Sequence, residues 1–238
     1  SKNLTCVVDP GESAPVIKFL KTRNWHLDEI INTHHHHDHI GGNAELLSIY
    51  KSKLIAPLYD KNRISDIDVY VSDNDLINIA GTKTKVIHTP GHTLGHVCLY
   101  MEDEKCLFSG DTMFYLGCGR VFEGTMDQMW SSLLKLRNLP DETLVYCGHE
   151  YSIQNLTFGL HVEPNNKAIQ DKLEWCQALR NDENPAKPTV PSTIGEEKII
   201  NPFMRVSQPS LRQLSGKDSD IETMTFIRTM KDNFKAKK

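Results

Sequence analysis

Thr33-His34-His35-His36-His37-Asp38-His39 places five imidazoles and one carboxylate in seven consecutive positions. Packing does not explain this stretch, because imidazole and carboxylate groups are unfavourable in a hydrophobic core. Neutral imidazole and carboxylate are, however, preferred ligands of zinc and iron. An artificial affinity run or a solvated polar loop is the alternative, yet only four of the histidines are contiguous and they lie inside the chain. The stretch therefore predicts a metal site.

The residues on either side place this histidine stretch on a loop. Residues 27–31 predict a short strand, and residues 40–47 open a predicted helix. The side chains therefore lie on a strand-to-helix loop, where several ligands can converge on one ion.

The composition is that of an ordinary globular protein, with 238 residues, 24% charged, 39% hydrophobic and a formal net charge of -4. The net charge gives no indication of a nucleic-acid partner, and no hydrophobic stretch approaches membrane-spanning length. The six cysteines form no CxxC pair and predict reduced thiols in a cytoplasmic compartment. Cys118 lies between two glycines on a predicted loop, and it is the one thiol for which we do not predict an inert, buried environment.

Residues 1–150 predict a mixed α/β domain, and residues 151–238 predict a mainly helical domain. Thr125-Met126-Asp127-Gln128 is a capping box, which predicts a helix to about residue 138. Further helices are predicted at 13–23, about 165–181 and 220–233, with a Pro-rich linker at 184–191. The predicted strands are residues 5–8, 27–31, 53–56, 76–79, 85–88, 96–100, 105–108 and 144–147.

Three isolated side chains follow predicted strands. His92 lies in a Thr-Pro-Gly-His-Thr turn, Asp111 in Ser-Gly-Asp-Thr and His149 in Cys-Gly-His-Glu. Each alone is weak evidence, because a single histidine or aspartate in a loop is more often a capping or turn residue. Three such positions beside the histidine stretch predict one shared site.

The candidate ligands are His34, His36, Asp38, His39, His92, Asp111 and His149. Seven side chains are more ligands than one tetrahedral ion binds, but they suit two ions that share one ligand. A carboxylate has two oxygens, so Asp111 is the expected bridge. His35 and His37 alternate with ligands and are expected to point away, while His88 and His96 fit strand positions better than ligand positions.

The pattern T-H-x-H-x-D-H, followed by isolated His, Asp and His, resembles the metallo-β-lactamase superfamily. Over nearly the whole chain the sequence more specifically resembles the hydroxyacylglutathione hydrolase (glyoxalase II) family. The stretches that separate this family from the rest of the superfamily are Gly117-Cys118-Gly119-Arg120, residues 146–151, His161-Val162-Glu163-Pro164 and residues 201–205.

The resemblance implies an α/β fold, an αββα metallo-β-lactamase sandwich with the metals at one edge and a C-terminal α-helical domain that helps to hold glutathione. The implied ligand groups are His34, His36 and His92 for one ion and Asp38, His39 and His149 for the other, with Asp111 shared. The implied substrate contacts are Arg120, Phe122, Tyr151, Arg228 and Lys231. The last two are three residues apart, so they share a helix face and can meet the carboxylates of a γ-glutamyl tripeptide. An ordinary solvated face is the alternative.

The sequence departs from the family in two places. Position 122 is Phe where the family commonly has Tyr, so a hydroxyl contact to the tripeptide is lost and a weaker or altered thiol preference is expected. The chain begins at a strand that in the family follows an earlier segment, so residues are expected to be missing before Ser1. A targeting peptide would lie there, which leaves an organelle open as an alternative to the cytoplasm.

The implied reaction is hydrolysis of S-(2-hydroxyacyl)glutathione thioesters, with S-lactoylglutathione giving lactate and glutathione in methylglyoxal detoxification. The hypothesis is attack by a hydroxide that bridges two divalent metal ions, with Asp38 orienting the hydroxide and Asp111 holding both ions. Zinc is the expected metal, while iron or a mixed pair suits the same ligands. The expected partner is the glutathione thioester alone, and the protein is expected to be a monomer.

Other classes of protein fit the candidate ligands and the helical region less well. A persulfide dioxygenase shares the fold but uses one iron, so it has less need of Asp38, His39 and His149. A β-lactamase or a nuclease does not account for the glutathione-like helical region. A binding module with an inactive site usually lacks a ligand, and none of the seven is missing.

Overall fold

The computed structural model describes residues 4–181 and 187–235, which form two large face-to-face sheets, a separate two-stranded antiparallel sheet, and helices outside the large sheets. The strands are β1 (Cys6–Val8), β2 (Glu29–Ile31), β3 (Lys53–Pro57), β4 (Val69–Val71), β5 (Leu76–Ile79), β6 (Thr82–His88), β7 (Val97–Met101), β8 (Cys106–Gly110), β9 (Met113–Phe114), β10 (Gly117–Cys118), β11 (Leu144–Cys147) and β12 (Ser192–Thr193). The α-helices are α1 (Ser13–Arg23), α2 (His37–Ile40), α3 (Asn43–Tyr50), α4 (Met126–Arg137), α5 (Ser152–Val162), α6 (Lys167–Asn181), α7 (Ile194–Ile200), α8 (Pro209–Ser215) and α9 (Asp220–Asn233). Short 3-10 turns cover Leu58–Asp60 and Pro202–Met204.

The first sheet is parallel and has the order β1-β2-β3-β4. Successive side chains of a strand point to opposite faces, and the two isoleucines of β2 show this. Ile30 packs outward against Leu20 of α1 and Leu46 of α3, whereas Ile31 packs toward the second sheet. The sheet is therefore buried on both faces.

The second sheet is mixed and has the order β12-β11-β8-β7-β6-β5. Strands β5 to β8 form an antiparallel meander, and β11 joins β8 in parallel. Val86 and Leu99 face the first sheet and pack in the same cluster as Ile55, whereas Ile87 and Cys98 face the other side. The central core therefore lies between the two sheets.

Helix α4 covers the outer face of the second sheet. Its predicted capping box is present, because Gln128 N donates to Thr125 Oγ1 at 3.2 Å and Thr125 N donates to Gln128 Oε1 at 2.9 Å. Met129 and Leu133 turn inward and are fully buried against the sheet. Helices thus lie on both outer faces, and the predicted αββα sandwich is confirmed.

The C-terminal helices share the hydrophobic core beneath α4. Phe158 of α5, Phe203 and Ile227 of α9 are fully buried in the cluster that contains Leu133. The short strand β12 also comes from this region, and it pairs antiparallel with β11. The C-terminal region is mainly helical, as predicted, while a domain boundary at residue 150 stays a prediction.

Predicted elements are observed with shifts at their ends. Helices predicted at 13–23 and 220–233 match α1 and α9. The helix predicted at 40–47 begins only at Asn43, because residues 37–40 form the separate turn α2. Residues 184–186 of the predicted Pro-rich linker lie outside the described residues. Across residues 4–181 and 187–235, no helix has both the length and the hydrophobicity that a membrane span needs.

The six cysteines are free thiols, as predicted. Cys118 lies in β10 and is buried, and burial raises the pKa of its thiol. Its reactivity toward solvent is therefore low, in line with the other buried thiols.

Candidate metal centre

Loops at one edge of the two sheets bring the seven candidate ligands together. β2 leads into the histidine stretch, while β6, β8 and β11 lead into His92, Asp111 and His149. The histidine stretch is tied to the second sheet, because Val97 N donates to Thr33 O at 3.0 Å. The Asp111 and His149 loops are adjacent because β8 and β11 are neighbouring strands.

His34, His36 and His92 form the first group, and their ligand atoms lie within 4.8 Å of one another. The Nδ1 atom of His36 is 3.1 Å from His34 Nε2 and 3.0 Å from His92 Nε2. Burial lowers the pKa of all three rings, and the other histidines around His34 lower its pKa further. The rings are therefore neutral and can direct lone pairs at one cation.

Asp38, His39 and His149 form the second group, again within 4.8 Å. The Nε2 atom of His149 is 3.2 Å from both His39 Nε2 and Asp38 Oδ2. Burial alone would lower the pKa of His39, but the carboxylates of Asp111 and Asp9 beside it raise this pKa to about 10. With this pKa the His39 ring carries a second proton at neutral pH when no cation is present. A divalent cation bound among these groups would displace that proton.

Asp111 lies between the two groups. Its Oδ1 atom is 3.4 Å from His39 Nε2, and its Oδ2 atom is 3.5 Å from both His92 Nε2 and His149 Nε2. Oδ1 is buried and accepts no hydrogen bond from the described residues. Gly148 leaves room for the carboxylate, since a Cβ there would overlap Oδ1. A buried carboxylate oxygen of this kind, with imidazole nitrogens of both ligand groups beside the same side chain, fits a cation on each side.

Asp9 supports the site from outside the two groups. Its carboxylate accepts hydrogen bonds from Thr33 N at 2.7 Å and Thr33 Oγ1 at 2.6 Å, and it lies 3.1 Å from His39 Nδ1. This contact orients the His39 ring so that Nε2 faces the site. The sequence pattern alone did not indicate this role for Asp9, because Asp9 lies 24 residues before Thr33 and 30 before His39.

His96 is a second supporting residue. It is buried, stacks on His34 with ring centroids 4.8 Å apart, and its Nε2 atom accepts the Asp111 backbone N–H at 3.0 Å. Burial keeps the pKa of His96 well below its usual range, so the ring is a neutral acceptor. It lies just before β7 and belongs to none of the groups that could hold a metal among the described residues, as expected.

Comparison with known proteins shows where the chain belongs. Residues 1–149 match the family model described as Metallo-beta-lactamase superfamily, and residues 150–234 match Hydroxyacylglutathione hydrolase C-terminus. The chain is 44% identical over 236 residues to the hydroxyacylglutathione hydrolase of Pelagibacter ubique strain HTCC1062, which covers 98% of this chain and 92% of the relative. The chain belongs to the hydroxyacylglutathione hydrolase family. The resemblance noted from the sequence is thereby confirmed.

Further comparisons agree with membership of the hydroxyacylglutathione hydrolase family. The chain is 45% identical over 232 residues to the hydroxyacylglutathione hydrolase of Rhodopseudomonas palustris strain BisA53, covering 96% of this chain and 89% of the relative. The crystal structure of BLEG-1 B3 metallo-beta-lactamase superposes with a TM-score of 0.65 at 22% identity, covering 86% of this chain and 90% of that chain. The structural likeness shows the fold alone. The fold and the histidine and aspartate groups together imply divalent metal ions.

In this member of the hydroxyacylglutathione hydrolase family, three predicted substrate contacts line the rim of the metal centre. The Phe122 ring is 60% exposed and meets His36 and His92 edge to face, with centroids 5.8 and 5.3 Å apart. The Arg120 guanidinium lies 5.5 Å above the Phe122 ring. Tyr151 stacks on His149 with a centroid distance of 4.9 Å. These side chains border both groups of candidate ligands.

The other two predicted contacts, Arg228 and Lys231, lie on α9. Arg228 is buried, and it donates to Cys118 O at 2.8 Å and to Asp232 Oδ1 at 2.9 Å. Lys231 Nζ donates to Gln154 O at 3.3 Å, and burial beside Arg228 lowers the pKa of Lys231 to about 8. The alternative of an ordinary solvated face is wrong for Arg228, while substrate contact by either residue stays a prediction.

The two alternating histidines, His35 and His37, stay outside the candidate ligand groups, although the His35 ring meets the His36 ring edge to face at 5.0 Å. His37 is exposed on α2, and neither His35 nor His37 belongs to a group that could hold a metal in the described part of the chain. His35 instead contacts Asp60 and Glu123, with its Nδ1 atom 3.2 Å from Asp60 Oδ1.

Proposed function

We propose that this chain hydrolyses S-(2-hydroxyacyl)glutathione thioesters, with S-lactoylglutathione as the leading substrate and lactate and glutathione as products. The observation that carries the proposal is the Asp111 carboxylate between two separate groups of histidine and aspartate ligands. The chain's membership of the hydroxyacylglutathione hydrolase family supports the substrate class. Such an activity would serve methylglyoxal detoxification.

Two divalent ions are proposed at this centre. The residues that would hold them are His34, His36 and His92 for one ion and Asp38, His39 and His149 for the other, with Asp111 shared. Zinc is proposed because it accepts imidazole and carboxylate ligands together, as iron also does. When bound, such ions supply Lewis acidity and lower the pKa of a water to about 7.

The chain's own residues would position the reactants. Asp38 is exposed beside His149, so its carboxylate can accept a hydrogen bond from the attacking water and orient it. Water gives up one proton, through Asp38 to solvent, as its oxygen adds to the thioester carbonyl carbon, and the C–S bond then breaks to release glutathione as a thiolate. A thiol has a pKa of about 8.5, so its thiolate leaves readily without a separate general acid.

Recognition of the tripeptide is proposed for the rim residues. Arg120 and Lys231 are cations that can pair with the glutathione carboxylates. Tyr151 presents a phenolic hydroxyl beside His149, and Arg228 holds the Cys118 carbonyl and so fixes the loop that leads to Arg120.

Hydrolysis of S-lactoylglutathione by metal-loaded protein tests the proposal. Turnover is expected with two metal equivalents per chain, and exhaustive chelation is expected to abolish it, since Asp111 and the histidines cannot activate water alone. Elemental analysis identifies the metals, and loss of thioester absorbance measures the rate. His37→Ala is the control, because His37 is exposed and belongs to neither ligand group among the described residues. Turnover that survives chelation, or one metal per chain at full activity, would contradict the proposal.

Replacing Phe122 with Tyr is expected to strengthen substrate binding. The Phe122 ring already lies against His36 and His92, so a para hydroxyl would add one hydrogen bond to the tripeptide without moving the ring. We expect KM for S-lactoylglutathione to fall by about threefold to tenfold with kcat unchanged, as one hydrogen bond allows. Phe122→Leu is the control, which removes the ring and should raise KM. An unchanged KM in Phe122→Tyr would show that position 122 does not contact the tripeptide.

A further inference from the structure

A polar cluster outside the two ligand groups lies between the histidine stretch and the loop of residues 119–124. Its members are His35, Asp60, Arg63 and Glu123. None of them belongs to a metal group within residues 4–181 and 187–235. The cluster therefore has no part in holding the ions, although it directly adjoins the rim residues Arg120 and Phe122.

The loop of residues 119–124 rests on the turn that carries His92. His92 Nδ1 is 2.7 Å from Arg120 O, and the N–H groups of Phe122 and Glu123 point to His92 O at 3.3 and 3.4 Å. These three contacts join the backbone of the loop to His92, and Gly119 N and Gly124 N add backbone contacts to Thr112 O and Gly91 O at the two ends of the loop. The side chain of Glu123 adds an attachment to segments outside this turn.

The Glu123 carboxylate connects three separate segments. Oε2 accepts Leu94 N at 2.8 Å, Oε1 accepts Arg63 Nη1 at 2.7 Å, and Oε1 also lies 3.5 Å from His35 Nε2. The Glu123 side chain is 25% exposed and the Arg63 side chain 38% exposed, so solvent reaches part of this pair. The pair is nevertheless a short charged hydrogen bond, and Glu123 is held at the same time by the Leu94 amide.

Asp60 holds the opposite end of the cluster. It is fully buried in the turn after β3, and neither of its oxygens accepts a hydrogen bond from the described residues. His35 Nδ1 at 3.2 Å and Arg63 Nη1 at 3.8 Å are the polar groups beside Asp60 Oδ1. A buried carboxylate draws positive groups toward it, so Arg63 is held between Asp60 and Glu123.

We propose that Glu123, held by Arg63, is a positioning residue that fixes the loop carrying Arg120 and Phe122 for glutathione recognition. Glu123 follows Phe122 directly, and the Phe122 ring contacts His36 and His92. Loss of the Arg63–Glu123 pair would remove the attachment of the loop to Arg63, while the backbone contacts of the loop and the ligand groups stay in place. Substrate binding would weaken, and the chemical step would not change. This inference rests on the proposed thioester hydrolysis.

The test compares Glu123→Gln, Arg63→Met and the double variant, each metal-loaded, in hydrolysis of S-lactoylglutathione. Each single variant is expected to raise KM by about tenfold with kcat within about twofold, because only binding is affected. The double variant is expected to be no worse than either single variant, since both remove the same contact. Glu142→Gln is the matched control, because Glu142 also pairs with a cation, Lys105 at 3.4 Å, on the exposed surface away from the loop.

A binding measurement separates this inference from the proposed function. S-methylglutathione is a thioether with no thioester to hydrolyse, so calorimetry measures its affinity whether or not the protein is a hydrolase. The same loss of affinity in both single variants, with wild-type metal content, would support the inference. Unchanged affinity and KM would overturn it, as would a parallel loss of kcat, metal content and thermal midpoint. Absence of S-lactoylglutathione turnover in the wild-type protein would refute the proposed function only.

Discussion

Asp111→Ala is expected to lower kcat/KM for S-lactoylglutathione by at least about three orders of magnitude, because one side chain serves both proposed metal sites. Asp111 Oδ1 faces His39, and Oδ2 faces His92 and His149. Its carboxylate is the group whose two oxygens face members of both ligand sets, His92 of the first and His39 and His149 of the second. Removing it takes one ligand from each ion at once.

Elemental analysis and steady-state kinetics together check this result. Metal content is expected to fall below two equivalents in Asp111→Ala, while circular dichroism shows that the fold is retained. Asp103→Asn is the control, since Asp103 is an exposed carboxylate in the turn between β7 and β8. Wild-type activity in Asp111→Ala would mean that Asp111 is not a shared ligand.

Phe158→Ala is expected to lower the free energy of unfolding by about 3 to 5 kcal/mol, the range for removing a fully buried aromatic ring. Phe158 is fully buried, stacks near Phe203 at 6.2 Å and meets Phe234 edge to face at 5.4 Å. Its cluster also contains Leu133 of α4, so the cavity would form where the helical region meets the sandwich.

Denaturant unfolding at matched metal content measures this loss, followed by circular dichroism and tryptophan fluorescence. The two signals are expected to coincide in the variant, because the sandwich and the C-terminal helices share one core. Ile199→Ala is the control, since Ile199 is 63% exposed on α7 and its loss should cost less than about 0.5 kcal/mol. A separate early transition of the helical region alone would contradict the shared core.

Much of the sandwich could be predicted because local signals agreed with the final packing. The capping box at Thr125 and Gln128 begins α4 as expected. Strand-like runs before His92, Asp111 and His149 became β6, β8 and β11. In each case the short hydrophobic run ended at a polar turn, so the local pattern and the tertiary environment favoured the same structure.

Other features depend on contacts between distant residues and carry little local signal. The Arg63–Glu123 ion pair joins residues 60 positions apart, and each residue alone is typical of a solvated surface. Asp9 supports His39 across 30 positions. The start of α3 at Asn43 also has a distant cause, since Gly42 N donates to Pro10 O and this contact separates α2 from α3. Sequence patterns alone do not reveal such pairings.

The two-residue strand β12 links the stability of the sheet to the tail of the chain. Its antiparallel pairing with Leu144 and Val145 completes one side of β11, although β12 lies more than 40 residues further along. A truncated protein that stops before Ser192 would leave backbone amides and carbonyls of β11 unpaired. An unpaired strand edge of this kind can pair with other chains and cause aggregation. Engineers who exchange the helical region between relatives should therefore transplant this short segment together with the helices.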